Sequence, residues 1–193
     1  MADKQDMAIT NYNRAIERRD GFFYYHLQRG LAKKEMDQID GAVTDLERSI
    51  ELLPTAPAHY ALAGIAQQRG NLPAAVNHYK VVAGAGGEYG KAATAELVRL
   101  DLPANPAAYV DRRCDPDASG NLVVSVRNNT TVQIQGVQVA VQYADSVGRQ
   151  QQRRMAIRGQ IPPGQIASVN TGLGPYVAGS NCPVAVIAAE IAE

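Results

Sequence analysis

Apolar positions follow two different periods along the chain, and the period changes near residue 103. Before it they recur every three to four residues, the spacing of one face of an α-helix. After it they alternate with polar positions, as in the stretch 137–143, which is typical of half-buried β-strands. The pattern predicts an α + β chain in two domains. The helical domain covers 1–102, a proline-containing linker covers 103–107, and the stranded domain covers 108–193.

The helical half contains an internal repeat. Its small and large apolar residues at positions 8, 12 and 15 recur 34 residues later at 42, 46 and 49, and Gly30 recurs at Gly64. This is the period of the tetratricopeptide unit, a helix–turn–helix that stacks on its neighbours. The register predicts an α-solenoid of about two and a half units, with a partial unit at 6–19, units beginning near Phe23 and Pro57, and a capping helix over 88–100. Because the first unit lacks its opening helix, we expect that a preceding segment has been removed.

The stranded half predicts an antiparallel β-sandwich of six or seven strands. Turn-forming sequences separate its apolar runs at 117–120, 128–129, 162–164 and 172–175. The last run, Val184 to Ile191, is apolar on both faces, so we expect a central or covered strand there.

Composition and charge narrow the possible functions. Apolar residues make up 46% of the chain, enough for packed cores, and 19 Lys and Arg balance 19 Asp and Glu. Without a net charge there is no field to attract nucleic acid, so no nucleic-acid partner is expected. No apolar run reaches the length of a membrane span, and none is predicted. Cys114 and Cys182 fit either a disulfide, as in an oxidising compartment, or two unpaired thiols.

No pattern predicts catalysis by this chain. Zinc hydrolases need two histidines one helical turn apart, and His26, His59 and His78 have no such partner. We interpret them as scaffold residues, with an adventitious metal site as the alternative. A nucleophile at Cys114 would need a histidine within reach, and all three lie in the other domain. We therefore predict no catalytic residue, no metal ligand and no cofactor here.

Two sets of residues resemble known families beyond the repeat pattern. The stretches Val126–Asn129, Val139–Asp145 and Ile161–Gln165 are similar to the bacterial FxLYD-type β-sandwich. The helical half resembles the region downstream of the peptidase domain in periplasmic zinc metallopeptidases related to the outer-membrane assembly-enhancing protease. The segments that carry this second resemblance are His26–Ala32, Asp45–Ser49, Leu53–Pro57 and Val98–Pro103.

The second resemblance implies a parent zinc metalloendopeptidase of the bacterial envelope, of which this chain is the non-catalytic C-terminal region. It implies a periplasmic location, with the cytoplasm as the alternative, and contact with an upstream peptidase domain. Zinc would belong to the parent, because the family's zinc-binding HExxH helix is absent from this sequence. The chain alone is therefore not predicted to be an enzyme.

The predicted binding surface is the concave face that the first helices of the units line in repeat register. Its centre is apolar, which favours an apolar segment or helix of another polypeptide as the partner. The predicted partner-binding residues are Tyr24, Leu27, Leu31, Lys34, Ala58, Ala61, Ile65 and Gln68. The alternative is that missing parts of the parent fill this face as ordinary core. The sequence thus predicts a docking region of an envelope metallopeptidase or, alternatively, a free-standing envelope scaffold with no attached enzyme.

Overall fold

The computed structural model describes residues 2–144, 147–176 and 182–192. The chain divides into two compact units, Met1–Leu97 and Val98–Glu193. The regular structure described in the first unit is helical, and that of the second is mainly antiparallel sheet, which confirms the predicted α + β class. Asp145, the last residue of one predicted strand motif, lies outside the described residues.

Helices account for nearly all of the first unit. Pro57 and Pro73 stand in the first turns of the fourth and fifth helices, where a missing backbone N–H costs nothing. The Asn71 side chain caps the fifth helix by accepting the Ala74 N–H at 3.3 Å. The helices are α1 Ala2–Arg18, α2 Phe23–Glu35, α3 Ile39–Leu52, α4 Ala56–Gln68, α5 Leu72–Ala83 and α6 Gly87–Asp101, whose end belongs to the second unit.

The apolar core of the helical unit lies among α2, α3 and α4. Its large members are Leu27, Leu46, Leu62 and Ile65, and buried alanines lie among them. At Gly30 a Cβ atom would lie 2.9 Å from the Leu46 side chain and 3.2 Å from the Ala42 carbonyl oxygen. The close approach of α2 to α3 therefore requires glycine at that position.

The described strands of the second unit form two antiparallel three-stranded sheets. One has the strand order β1-β2-β5 and the other β4-β3-β6. Sequence neighbours pair directly in β1 with β2 and in β3 with β4. The strands are β1 Val110–Pro116, β2 Leu122–Asn128, β3 Ile134–Ala144, β4 Gln150–Ala156, β5 Ile166–Asn170 and β6 Val184–Ile191.

Alternate residues of the two sheets share one apolar core. Val124 and Val126 of β2 and Val139 and Val141 of β3 belong to a single buried cluster. The intervening Gln138 and Gln142 of β3 are exposed, as the two-residue period predicts.

The expectation that the last strand is central or covered is wrong. In the described sheets β6 pairs only with β3 and forms an edge. Ala185 and Ile187 on it are exposed, and Ile187 retains 39% of its surface. The run looks apolar on both faces because the outward positions 185 and 187 carry the apolar residues Ala185 and Ile187.

A fully buried asparagine organises the β2–β3 connection. The Asn128 amide nitrogen donates to the carbonyl oxygens of Val132 and Ile161, each at 2.8 Å. Its Oδ1 accepts the Thr130 N–H at 2.8 Å. Because every amide function is satisfied, this polar side chain is tolerated at 0% exposure.

A disulfide bond joins Cys114 on β1 to Cys182, which precedes β6, with a Cα–Cα distance of 5.8 Å. Cys114 lies in the β1-β2-β5 sheet, and Cys182 lies just before β6 of the other sheet. The bond therefore joins the first sheet to the segment that leads into the second.

Candidate functional site

Three helices of the first unit contribute to a common surface. The Lys34 ammonium of α2 lies 3.7 Å from the position that a Cβ atom would take on Gly64 of α4. The Tyr60 ring of α4 and the Tyr89 ring of α6 meet edge to face, with centroids 5.5 Å apart. These contacts run from α2 over α4 to α6. We call this surface the α2–α4–α6 face and define it by Tyr24, Leu31, Lys34, Tyr60, Gly64, Gln68 and Tyr89.

The structure divides the eight predicted partner-binding residues into two groups. Tyr24 and Gln68 are exposed, and Leu31 and Lys34 are partly exposed. The other four are packed in the helical core with at most 4% exposure, namely Leu27, Ala58, Ala61 and Ile65. Core residues in this arrangement offer no atoms to a partner. Of the eight predicted residues, only Tyr24, Leu31, Lys34 and Gln68 can therefore contact a partner. Tyr60 and Tyr89 are also accessible, and the sequence reasoning did not include them.

Helix geometry explains the division. On α4, Gly64 and Gln68 are one turn apart and share a side, while Ile65 is rotated by about 100° toward the neighbouring helices. On α2, Tyr24 and Leu31 lie seven residues apart, nearly in line along the helix. The repeat register predicted a surface on α2 and α4 but did not resolve how these helices are rotated.

Lys34 is the basic group on this face, and its pairing differs from that of the cations near it. The adjacent Lys33 binds Asp45 at 2.8 Å, and Arg69 pairs with Asp40. Lys34 forms no ion pair within the part of the chain that the structure describes. Its ammonium is thus available to a carboxylate or a carbonyl oxygen from outside.

Aromatic rings line the α4 and α6 side of the face. Tyr60 contacts both Tyr79 and Tyr89, each at 5.5 Å between centroids. Tyr79 is buried and donates to Gln67 Oε1 at 3.1 Å, and burial together with Tyr60 and Glu96 raises its pKa to about 12. Tyr89 keeps 45% of its surface exposed. The buried ring anchors the two that reach the surface.

Asp45 is the centre of a buried ionic cluster between α2 and α3. Arg29 binds it with two hydrogen bonds, and Lys33 adds an ion pair. Burial opposes ionisation, but these hydrogen bonds and charges lower the pKa of the Asp45 carboxyl. Arg29 also donates to Asn13 Oδ1 at 2.8 Å, which ties α1 to the cluster. Because the cluster ties α1, α2 and α3 together, we interpret its role as structural.

Two histidines that are 19 residues apart in sequence meet between α4 and α5. His59 Nδ1 and His78 Nδ1 are 3.0 Å apart. Burial lowers the pKa of His59, and the charge of His78 lowers it further. Burial also lowers the pKa of His78, against the opposing effect of Glu47. Both rings are consequently neutral near pH 7, so one can donate to the other.

The second unit contains an open cleft of about 590 Å³ beside the disulfide. Arg112, Arg113 and Arg127 line it together with Asp111. Arg112 Nε donates to the Val184 carbonyl oxygen at 2.8 Å. The excess of guanidinium groups suits an anionic group. The hydroxyl in its lining, Ser125, is hydrogen-bonded to Ser168.

Within the described residues, no group of three or more His, Cys, Asp or Glu side chains is placed to hold a metal ion. The described helices include none with the length and apolarity needed to cross a bilayer. No protein-family model matches the chain, and no curated protein matches it significantly. The likeness to envelope metallopeptidases thus stays a prediction.

Proposed function

We propose that this chain is a non-catalytic protein-interaction module that binds a polypeptide segment on the α2–α4–α6 face. The observation that carries the proposal is the composition of that face. The exposed rings of Tyr24 and Tyr89, at 43% and 45% exposure, share this face with the Lys34 ammonium, which forms no ion pair among the described residues. Aromatic groups next to a charged donor are the usual anchors of polypeptide recognition.

The shape and chemistry of the face favour a segment with apolar side chains and at least one acidic group. Gly64 projects no side chain, so the middle of the face stays open at the backbone level. An apolar side chain placed there would contact Leu31 and Tyr60 on either side. A carboxylate near Lys34 would gain a charge-assisted hydrogen bond.

We propose that the helical unit is a tetratricopeptide solenoid of about two and a half units with α6 as its cap. The starts of α2 and α4, and those of α3 and α5, are each 33 residues apart, which supports two equivalent helix pairs. We also interpret the second unit as a β-sandwich, since residues of both sheets share one buried cluster.

We further propose that the chain is the docking region of a bacterial envelope zinc metalloendopeptidase related to the outer-membrane assembly-enhancing protease. The sequence resemblance and the Cys114–Cys182 disulfide, which suits the oxidising periplasm, support this proposal. The gene's full reading frame tests it. An HExxH-containing region upstream is expected, whereas a complete frame without one favours the free-standing scaffold.

The interaction role is tested by selecting peptides from a random display library with the wild-type chain and measuring their Kd by fluorescence anisotropy. Peptides with apolar residues and an acidic group are expected. Tyr24→Ala and Lys34→Glu should each weaken binding at least tenfold. Lys80→Glu, an equivalent charge reversal at an exposed position of α5, serves as the control and should change Kd less than twofold.

Two results would contradict the proposal. One is selected peptides that bind the face variants as tightly as wild type while circular dichroism shows all variants folded. The other is zinc-dependent peptide hydrolysis by this chain alone, since an interaction module has no turnover.

A further inference from the structure

His59 and His78 face each other across the contact between α4 and α5. Their Nδ1 atoms are 3.0 Å apart, and the ring planes are inclined by 46° with centroids 5.2 Å apart. Both side chains are only partly buried, so solvent can reach the pair. The two nitrogens are thus directed to one region of space from two different helices.

A proton or a metal ion can occupy the space between two such nitrogens. In the hydrogen-bonded form one Nδ1 carries the hydrogen and the other supplies its lone pair. If both rings take the tautomer with hydrogen on Nε2, both Nδ1 lone pairs become available, and a metal ion replaces the bridging proton. Neutral imidazole is a common metal ligand in proteins.

The separation of the nitrogens selects among metal geometries. With metal–nitrogen bonds of about 2.0 to 2.1 Å, two nitrogens 3.0 Å apart subtend roughly 91 to 97° at the metal. That is close to the right angle between neighbouring ligands of a square-planar or tetragonal ion, the geometry of Cu(II) and Ni(II). A tetrahedral ion would need the two nitrogens about 3.3 Å apart, which is wider than the separation observed here.

The charges around the pair favour a cation. The negative charge of Glu47 on α3 acts on His78 and favours positive charge there. A divalent ion between the two rings would be attracted by this carboxylate.

We propose that His59 and His78 form a two-histidine site for a tetragonal divalent metal ion, with Cu(II) bound most tightly. The two Nδ1 atoms are neighbouring ligands, and water occupies the remaining positions. Cu(II) is preferred because it forms the most stable complexes of the divalent first-row series at nitrogen sites. The site lies between α4 and α5 and is separate from peptide binding on the α2–α4–α6 face.

The test is a Cu(II) titration of tag-free protein by isothermal calorimetry, with glycine as a competing ligand to suppress weak sites. One Cu(II) per chain is expected. His59→Gln and His78→Gln should each lower the affinity at least tenfold, because each leaves one imidazole ligand. His26→Gln, which removes the histidine outside the pair, should change the affinity less than twofold.

Electron paramagnetic resonance of wild-type protein with ¹⁵N-labelled histidine gives a second measurement that does not depend on folded variants. An axial Cu(II) spectrum with coupling to two histidine nitrogens is expected. Coupling to one nitrogen or none overturns the proposal. So does an unchanged Cu(II) affinity in either His59→Gln or His78→Gln.

Discussion

The Arg29 guanidinium donates two hydrogen bonds to the Asp45 carboxylate, from Nε to Oδ2 at 2.8 Å and from Nη2 to Oδ1 at 2.5 Å. The carboxylate side chain is only 3% exposed, while Arg29 retains 18%. A bidentate pair of this kind fixes both distance and orientation between α2 and α3. It provides the polar counterpart to the apolar contact at Gly30 on the same helix pair.

Replacing Asp45 should destabilise the helical unit. Asp45→Asn leaves Arg29 and Lys33 without their counter-ion, and breaking a buried ion pair on one side typically costs about 3 kcal/mol. Urea unfolding monitored by circular dichroism measures the change. Asp40→Asn removes a carboxylate that pairs with Arg69 in full contact with solvent and should have a far smaller effect. Equal losses in the two variants would contradict the structural role of the cluster.

The same carboxylate should make stability depend on pH in the acid range. Because its pKa is lower in the folded state than the ordinary value of 3.8, the folded chain holds the proton less tightly than the unfolded chain. The stabilisation is therefore present above about pH 4 and lost as pH falls further. Thermal melts between pH 3 and 6 should show a steeper decline for wild type than for Asp45→Asn. Parallel curves would mean that Asp45 does not titrate abnormally.

The two glycines related by the repeat should respond in opposite directions to alanine. A Cβ atom at Gly30 would come within 2.9 Å of Leu46, so Gly30→Ala should destabilise by about 1 to 3 kcal/mol through overpacking. At Gly64 the nearest atom is the flexible Lys34 ammonium at 3.7 Å. Gly64→Ala should therefore stabilise by about 0.5 to 1 kcal/mol, the helix-propensity difference. Chemical denaturation of both variants measures the change in the free energy of unfolding. A change of the same sign in both would be inconsistent with the described helix contacts.

Neighbouring asparagines give a matched test in the second unit. Asn128→Ala removes the acceptor of the buried Thr130 N–H and two donated hydrogen bonds, so a loss of about 2 kcal/mol is expected. The exposed Asn129→Ala should change stability little. Guanidinium unfolding of the two variants provides the comparison. A tolerated Asn128→Ala would show that its network contributes little.

Local sequence patterns predicted most of the helices and strands. They did not determine how each helix is rotated or which of its residues are buried. The three-to-four-residue spacing of apolar positions predicted helices in the first half of the chain, and the regular structure described in the first unit is helical. Which side of α4 faces outward depends on helix crossing, so the sequence places Ile65 on the surface although it is buried. For β6, apolar residues at both inward and outward positions give no sign of which face is covered, and the strand lies at an edge.

The sequence also gives no information about which side chains of separate helices meet. His59 and His78 have no partner within their own helices, which is all that a motif search examines. Their meeting depends on the antiparallel pairing of α4 with α5, which places residues of different helices side by side. Asp45 likewise looks like an ordinary surface carboxylate until the position of Arg29 is known. An inspection of polar residues facing each other across predicted helix pairs would have found both.

The bond between Cys114 and Cys182 closes a ring of chain that begins in β1 and ends just before β6. A protease that cuts the backbone once between these two cysteines produces two fragments that stay covalently joined by the disulfide. Such nicked protein would run at full length on a non-reducing gel and separate only after thiol treatment. A single backbone cut between the two cysteines therefore releases no fragment from the second unit.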